Sequence, residues 1–263
     1  MLLYHGSSEV ITRPRFNGGD ENCDYGNGFY TTNIADMGRE WAVKPKQDGY
    51  LNIYDLDTKG LKFIDLNQAC YTVLNWMALL YKNRRINGRA RHQERMHLFM
   101  EIFLPDISEA DVVIGHRADD RYFRIVKFFI RNDFSLDDME DALMLGNLGQ
   151  QIFLQSIEVF TTKRLKFLGY ERVLYKEWYD KKEKRENNAL KIFEKIENKP
   201  RTKVAITIKD ILEHEGWIYA RPANELSNMN VQIPDDCLLI KAPFHVDTEN
   251  GSIRSLVSGT TLV

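Results

Sequence analysis

Two short motifs near the start of the chain carry residue types that could hold a ribose and a flat heterocycle. His5-Gly6-Ser7 closes a short apolar run, and Gly26-Asn27-Gly28 leads into the aromatic and β-branched segment 29–32. Residues 2–4 and 29–32 are each typical of a β-strand, with a loop between them. An imidazole on one strand and an aromatic ring on its neighbour could bracket a ribose and a planar ring, with glycine backbone close enough to bond an amide.

Each of these residues also has an ordinary structural explanation. A lone strand histidine such as His5 is commonly just hydrogen-bonded, Tyr30 could be a plain sheet residue, and Trp41 could be a core residue. The order of the two motifs favours the binding role. The Gly26-Asn27-Gly28 segment lacks the third glycine and the strand-to-helix setting of a dinucleotide fold, so we exclude a Rossmann site.

The spacing of acids, histidines and cysteines does not indicate a metal site. Asp119 and Asp120 are adjacent acids of the kind that commonly cap a helix. His92 and His97 are five residues apart, which is not the helical zinc spacing. The three cysteines are widely spaced and predict reduced thiols. We therefore expect no metal.

Composition bounds the class of protein. A chain of 263 residues with 43% hydrophobic content fits one domain of ordinary size plus a small appendage. A formal net charge of −2 and a pI of about 6.3 argue against general nucleic-acid binding. There is no apolar run of membrane length and no visible secretory signal, so we expect a cytoplasmic protein by default, with secretion or delivery left open.

Hydrophobic periodicity predicts the elements that must position the two motifs. A helix capped by Asn33 would place Ile34, Met37 and Trp41 on one face. Further strands are predicted over 51–56, 111–114 and 151–155. Further helices are predicted over 67–82, 89–103, 123–130, 136–145, 161–168 and 207–214. Residues 176–199 are almost uniformly charged and predict a solvated helix with one apolar edge, and a hairpin is predicted around Asn250-Gly251.

The two motifs resemble those of ADP-ribosyltransferases of the His-Tyr-Glu branch, which contains diphtheria-type toxins and poly-ADP-ribose polymerases. The resemblance implies that His5 holds the adenosine ribose of NAD and that the backbone of Gly6 bonds the nicotinamide carboxamide, with Ser7 beside them. Gly28 and Tyr30 match the Gly-x-Tyr strand whose tyrosine stacks on the nicotinamide.

Later positions extend this resemblance and also depart from it. Trp41 matches the second ring of the polymerase sandwich, whereas Gly38 stands where the polymerases have a serine. The chain is most similar to an uncharacterised bacterial family of ADP-ribosyltransferase-like proteins with a His-Tyr-Gln pattern. That family shares the segment 114–120 and the late Gln151-Ile152-Phe153 stretch, so that the resemblance covers residues 2–170.

Gln151 occupies the place of the glutamate that bonds the nicotinamide-ribose 2′-hydroxyl. Nicotinamide leaves NAD through a C–N cleavage with oxocarbenium character, so a site must clamp both riboses, hold the ring flat and stabilise positive charge. A neutral amide can hold the hydroxyl, but it cannot place a formal negative charge beside the cation. The resemblance therefore implies single transfer rather than chain building.

The resemblance implies an α+β fold of the ADP-ribosyltransferase type, with split antiparallel sheets, flanking helices and a small C-terminal α/β appendage. It divides the chain into a catalytic domain over 1–175, a charged linker helix over 176–199 and a segment of unknown role over 200–263. The implied function is mono-ADP-ribosylation of a macromolecular acceptor, with NAD as substrate and NAD hydrolysis as a side reaction, as in a toxin-like bacterial effector. A protein is the favoured acceptor, and a nucleic-acid acceptor is left open. A non-catalytic NAD-binding or partner-binding module is the alternative.

Overall fold

The computed structural model of the chain describes residues 1–68, 71–84, 90–117, 126–136, 138–139, 149–161, 163–198, 207–213, 244–246, 253–255 and 261–262. The helices are α1 (Ala35–Ala42), α2 (Val73–Asn83), α3 (Ala90–Phe103), α4 (Tyr175–Glu197) and α5 (Ile208–Glu213). The strands are β1 (Leu2–Ser7), β2 (Phe29–Thr31), β3 (Gly49–Leu56), β4 (Phe63–Asp65), β5 (Val112–His116), β6 (Gln150–Leu154), β7 (Leu165–Val173), β8 (Phe244–Val246), β9 (Ile253–Ser255) and β10 (Thr261–Leu262).

Two main sheets form the α+β fold. The first has the order β1-β3-β7 and is antiparallel, and the second has the order β2-β6-β5-β4, in which only the β4–β5 pair is parallel. Tyr4 of β1 and Thr32, next to β2, join the sheets by two backbone hydrogen bonds of 2.8 and 2.9 Å. The prediction of an α+β fold with largely antiparallel sheets is confirmed.

The central strand β6 explains how the core is layered. Its residues from Gln151 to Leu154 are all buried, because both faces of the second sheet are covered. Phe153 faces α2 and α3 in one apolar cluster, whereas Ile152 and Leu154 pack with Leu3 of the first sheet in another. Gln151 lies two residues from Phe153 and therefore shares the helix-covered face.

Most predicted elements within the described residues are confirmed with shifted ends. The strands predicted over 51–56, 111–114 and 151–155 and the helices over 67–82, 89–103 and 207–214 are present. Residues 126–130 are helical, and the rest of the helices predicted over 123–130 and 136–145 lies largely outside the described residues.

Two local predictions are wrong. Helix α1 begins at Ala35 after Ile34 and has no side-chain cap, so Asn33 does not cap it. The short helix predicted over 161–168 is replaced from Leu165 by strand β7, which pairs along the whole of β3. This pairing outweighs the local helical pattern, and Gly169 lies beside a register shift in the ladder instead of ending a helix.

The later part of the chain adds further elements to this fold. The helix predicted over 176–199 is α4, and its Arg185 Nε lies 2.7 Å from Glu40 Oε2 on α1. Helix α5 buries Ile208 and Ile211 in the cluster that contains α3. Strands β8, β9 and β10 form an antiparallel sheet, and the β8–β9 pair agrees with the predicted hairpin. Among the described helices, none has the length and apolar character needed to cross a membrane.

Candidate active site

The two main sheets separate directly after the Tyr4–Thr32 pair, and His5 lies in this split. Its ring stacks on Phe29 with centroids 4.3 Å apart, and its Nδ1 lies 2.7 Å from the carbonyl oxygen of Tyr30. A carbonyl oxygen only accepts hydrogen bonds, so Nδ1 carries the proton, and burial lowers the pKa of His5 and favours the neutral ring. Nε2 is therefore left as an acceptor for a hydroxyl group.

Gly6 presents backbone groups to the same split. Alternate residues of an antiparallel strand direct their N–H and C=O groups to the same edge. Because both backbone groups of Tyr4 bond Thr32, those of Gly6 face the β2 side, and the described structure records no bond to them there. An adjacent N–H donor and C=O acceptor are the two groups that a primary carboxamide can pair with.

The missing side chain of Gly6 lets helix α1 approach β1. A Cβ atom at Gly6 would lie 2.0 Å from the carbonyl oxygen of Gly38 and 2.5 Å from the nitrogen of Ala42. Gly38 is equally close-packed, since a Cβ there would lie 2.4 Å from Leu51 Cδ1. Both glycines thus have a packing reason in this fold, and no hydroxyl is available at position 38.

The hydroxyl of Ser7 is committed to the loop that follows β1. It donates to the carbonyl oxygen of Glu9 at 2.6 Å and accepts from Asn52 Nδ2 at 3.0 Å. Asn52 is fully buried in β3 and also accepts from the backbone N–H of Ile11 at 2.8 Å. Ser7 therefore helps to fix the loop beside His5.

The ring of Tyr30 is held at both ends. Its hydroxyl donates to the carbonyl oxygen of Gly26 at 2.7 Å and accepts from the backbone N–H of Tyr25 at 3.0 Å. The ring lies 4.9 Å from that of Phe153, and a Cβ at Gly28 would lie 2.3 Å from the Phe153 ring. Gly28 thus allows Phe153 to support Tyr30, while burial raises the pKa of the Tyr30 hydroxyl and keeps it protonated.

Gln151 is buried, and its amide has one defined orientation. Its Nε2 donates to Asp24 Oδ2 at 2.9 Å and to the carbonyl oxygen of His116 at 3.2 Å. An ionised carboxylate and a carbonyl only accept, so the NH₂ group must face them, and Oε1 must face the opposite way. The structure records no donor to Oε1 among the described residues, and the neighbouring Gln150 is exposed.

A buried polar network supports Gln151, and sequence reasoning missed its members. The carbonyl oxygen of His116 accepts from Tyr25 Oη and from Trp76 Nε1, both at 2.8 Å, besides Gln151. A Cβ at Gly115 would lie 2.3 Å from Tyr25 Oη, so the glycine leaves room for the Tyr25 hydroxyl to reach the carbonyl oxygen of His116. Gly115 belongs to segment 114–120, which is part of the resemblance to the bacterial family. No physical role for this glycine followed from the sequence alone.

Trp41 lies beside Gly6 and contacts a cation. The Arg117 Cζ lies 4.9 Å from the Trp41 ring centroid, within the range of a cation–π contact. The buried Nε1 of Trp41 has no hydrogen-bond partner in the part of the chain that the structure describes. No ring contact joins Trp41 to Tyr30 among the described residues, so the proposed stacking of Trp41 on a ligand stays a prediction.

His5 and Gly6 thus lie beside the point where the two sheets separate, and the Nδ1 of His5 joins them to the backbone of Tyr30. The side chains of Tyr30 and Gln151 share the helix-covered face of the second sheet with Phe153. Among the described residues, no group of three or more His, Cys, Asp or Glu side chains could hold a metal ion. The positions 119 and 120 lie outside the described residues.

A family model described as protein of unknown function (DUF3990) matches residues 1–167 of the chain. The chain belongs to the DUF3990 family. No curated protein and no solved structure matches it. The region of this DUF3990 protein that matches the model contains every candidate residue named above, from His5 to Gln151, and it ends within β7.

We expect the stability of this DUF3990 protein to fall in acid partly through two half-buried histidines, His5 and His116. Burial lowers the pKa of His5 and of His116 below the ordinary value of 6.5. As the pH falls below 6.5, the two histidines are protonated in the unfolded chain before they are protonated in the folded protein. The free energy of unfolding that the neutral rings contribute is therefore present above pH 6.5 and is lost as the pH falls towards the folded pKa values.

Urea unfolding of His5→Gln and wild type between pH 5 and pH 7.5 measures this contribution. The variant should show a shallower dependence, by at most about 1.4 kcal/mol per pH unit for one histidine. His97→Gln is the matched control, because its side chain is 73% exposed. Identical slopes for wild type and His5→Gln would contradict the neutral state of His5.

Proposed function

We propose that this DUF3990 protein is a mono-ADP-ribosyltransferase, which cleaves NAD between nicotinamide and ribose and transfers ADP-ribose to a macromolecular acceptor. One observation supports the proposal: beside the Tyr4–Thr32 pair, His5 bonds the carbonyl oxygen of Tyr30 and keeps Nε2 as an acceptor, and among the described residues the N–H and C=O of Gly6 that face β2 have no recorded partner. The residues are those on which the resemblance to the His-Tyr-Glu branch rests. The split, largely antiparallel sheets are compatible with a fold of that type.

Each residue has a distinct task in the proposed reaction. The N–H and C=O of Gly6 pair with the carboxamide of nicotinamide, and the partly exposed ring of Tyr30 packs on the heterocycle. Nε2 of His5 accepts from a hydroxyl of the adenosine ribose. Orientation of this kind can contribute up to about 7–11 kcal/mol in favourable cases.

Gln151 acts on the sugar from which nicotinamide departs. Its Oε1 accepts from the 2′-hydroxyl of the nicotinamide ribose and places the negative end of an amide dipole beside the developing oxocarbenium ion. An amide oxygen carries less negative charge than a carboxylate and cannot act as a base. We therefore propose a single transfer to each acceptor site and not the building of a chain. The net charge of −2 favours a protein over a nucleic acid as the acceptor.

The burial of Gln151 favours a second candidate function. Its side chain is 3% exposed, and both N–H groups of its amide bond inside the protein. A module that binds NAD or a partner without chemistry could keep such a glutamine for structure alone. Release of free nicotinamide from bound NAD separates the two functions.

The test is incubation with NAD labelled on its adenosine half, with and without a cell lysate. We expect labelled acceptor and free nicotinamide from wild type, and at least a tenfold lower rate from His5→Ala and Tyr30→Ala, which equals about 1.4 kcal/mol in transition-state stabilisation. His97→Ala and Tyr170→Ala are matched controls at exposed positions. Wild-type rates from both site variants with native circular dichroism would refute the assignment, and NAD binding without nicotinamide release would favour the binding module.

A further inference from the structure

Asp24 is a buried carboxylate directly behind Gln151. The residue is 4% exposed, and its Oδ2 lies 2.9 Å from Gln151 Nε2. Its Oδ1 forms an ion pair of 2.5 Å with Arg84 Nη2, just after the end of α2. Its backbone carbonyl oxygen accepts from Asn83 Nδ2 at 3.2 Å. Asp24 is therefore fixed by α2 through its side chain and its backbone, although it lies in the connection between β1 and β2.

The orientation of the Gln151 amide depends on what lies behind it. Rotation by 180° exchanges Oε1 and Nε2 with almost no change of shape, so hydrogen bonds alone select one orientation. The bond to the Asp24 carboxylate is charge-assisted and about twice as strong as a neutral one. A flipped amide would set its oxygen against the Asp24 carboxylate and the His116 carbonyl, which is repulsive.

We propose that Asp24 is a positioning residue, which holds the Gln151 amide so that its oxygen meets the 2′-hydroxyl of the nicotinamide ribose. This inference rests on the proposed function. The carboxylate also polarises the amide through the N–H···O bond and so increases the negative charge on Oε1. In the His-Tyr-Glu branch the glutamate itself carries the formal negative charge. In this protein the charge lies on Asp24, one hydrogen bond behind Gln151, and Arg84 pairs with it.

Asp24→Asn tests the proposal, because it removes the charge and changes the shape little. An asparagine at position 24 can donate to Gln151 Oε1, which stabilises the flipped amide. We expect kcat for NAD hydrolysis to fall at least tenfold while KM for NAD changes less than threefold, since the 2′-hydroxyl bond strengthens as the cation develops.

Two further variants separate positioning from loss of stability. Asn75→Ala also removes a buried amide, since Asn75 is 6% exposed. The Nδ2 of Asn75 donates to the carbonyl oxygen of Phe103 at 2.9 Å and not to Gln151. We expect its kcat per folded molecule to stay within twofold of wild type. The double variant Asp24→Asn/Gln151→Glu again has one amide and one carboxylate at these two positions. We expect its kcat to be higher than that of Gln151→Glu alone, in which two carboxylates would face each other.

A measurement without NAD reads the hydrogen bond itself. The side-chain NH₂ signals of Gln151, identified by their absence in Gln151→Ala, should exchange slowly in wild type and at least tenfold faster in Asp24→Asn. Wild-type protein that neither binds nor cleaves NAD refutes the proposed function and with it any role of Asp24 in cleavage. Wild-type protein that cleaves NAD, with Asp24→Asn at an unchanged kcat or Asn75→Ala at an equal loss, refutes the role of Asp24 alone.

Discussion

Gln151→Ala should lower kcat/KM for NAD cleavage by about 1–3 kcal/mol of transition-state stabilisation, the range for a polar partner left unmatched in a buried site. The change removes the Oε1 acceptor and leaves the carboxylate of Asp24 without its donor. Steady-state release of nicotinamide, corrected for the folded fraction, measures the effect.

Gln150→Ala is the internal control for this variant. Gln150 is the adjacent glutamine, and it is exposed on the opposite face of β6. We expect its activity to stay within twofold of wild type. Glu158 is the nearest carboxylate along the chain, but it lies on the surface and pairs with Arg164 at 2.7 Å, so we expect no catalytic role for it. Full activity in Gln151→Ala together with loss of activity in Glu158→Gln would contradict the assignment of Gln151.

Gly6→Ala should have the largest effect on both folding and binding. The added methyl group would lie 2.0 Å from the Gly38 oxygen and 2.5 Å from the Ala42 nitrogen, and backbone atoms cannot rotate away as a side chain can. Helix α1 must therefore move off β1. We expect a loss of about 1–3 kcal/mol in the free energy of unfolding.

We also expect NAD affinity to fall at least tenfold in Gly6→Ala, because the helix that moves carries Trp41 and borders the split. Urea unfolding and titration calorimetry measure the two effects. Ser8→Ala is the control, since Ser8 is the exposed residue two positions later. Unchanged stability in Gly6→Ala would mean that α1 has room to shift and that the close approach is not required.

The parts of the site that could be predicted from sequence are those set by short-range pattern. The two strands beside His5 and Tyr30 follow from a short apolar run and from an aromatic, β-branched segment. The burial of Gln151 and the exposure of Gln150 follow from the two-residue period of a strand. Gly6 and Gly28 stood out because each lies at the end of a predicted strand, where a glycine lets the backbone approach a ligand closely. These features require no knowledge of which elements meet.

The parts that could not be predicted depend on contacts between distant segments. Asp24 lies in a stretch interpreted as a loop, and only the fold brings it to Gln151, 127 residues later. The contact of Arg117 with Trp41 likewise joins the residue after β5 to α1. Strand β7 was predicted as a helix over its first residues, because its pairing with β3 lies more than a hundred residues back in the chain.

The end of the family match within β7 has a consequence for how this unit could be transferred between proteins. Past residue 167, Gly169 to Val173 still pair with Ile53 to Gly49 of β3. Glu171 receives two bonds from Arg39 on α1, at 2.9 and 2.7 Å. A fragment cut at the family boundary would leave half of β3 as an open edge and release an anchor of the helix that borders the split. In this protein, a unit that is to be grafted elsewhere therefore has to extend to Val173, the last residue of β7 that completes the first sheet.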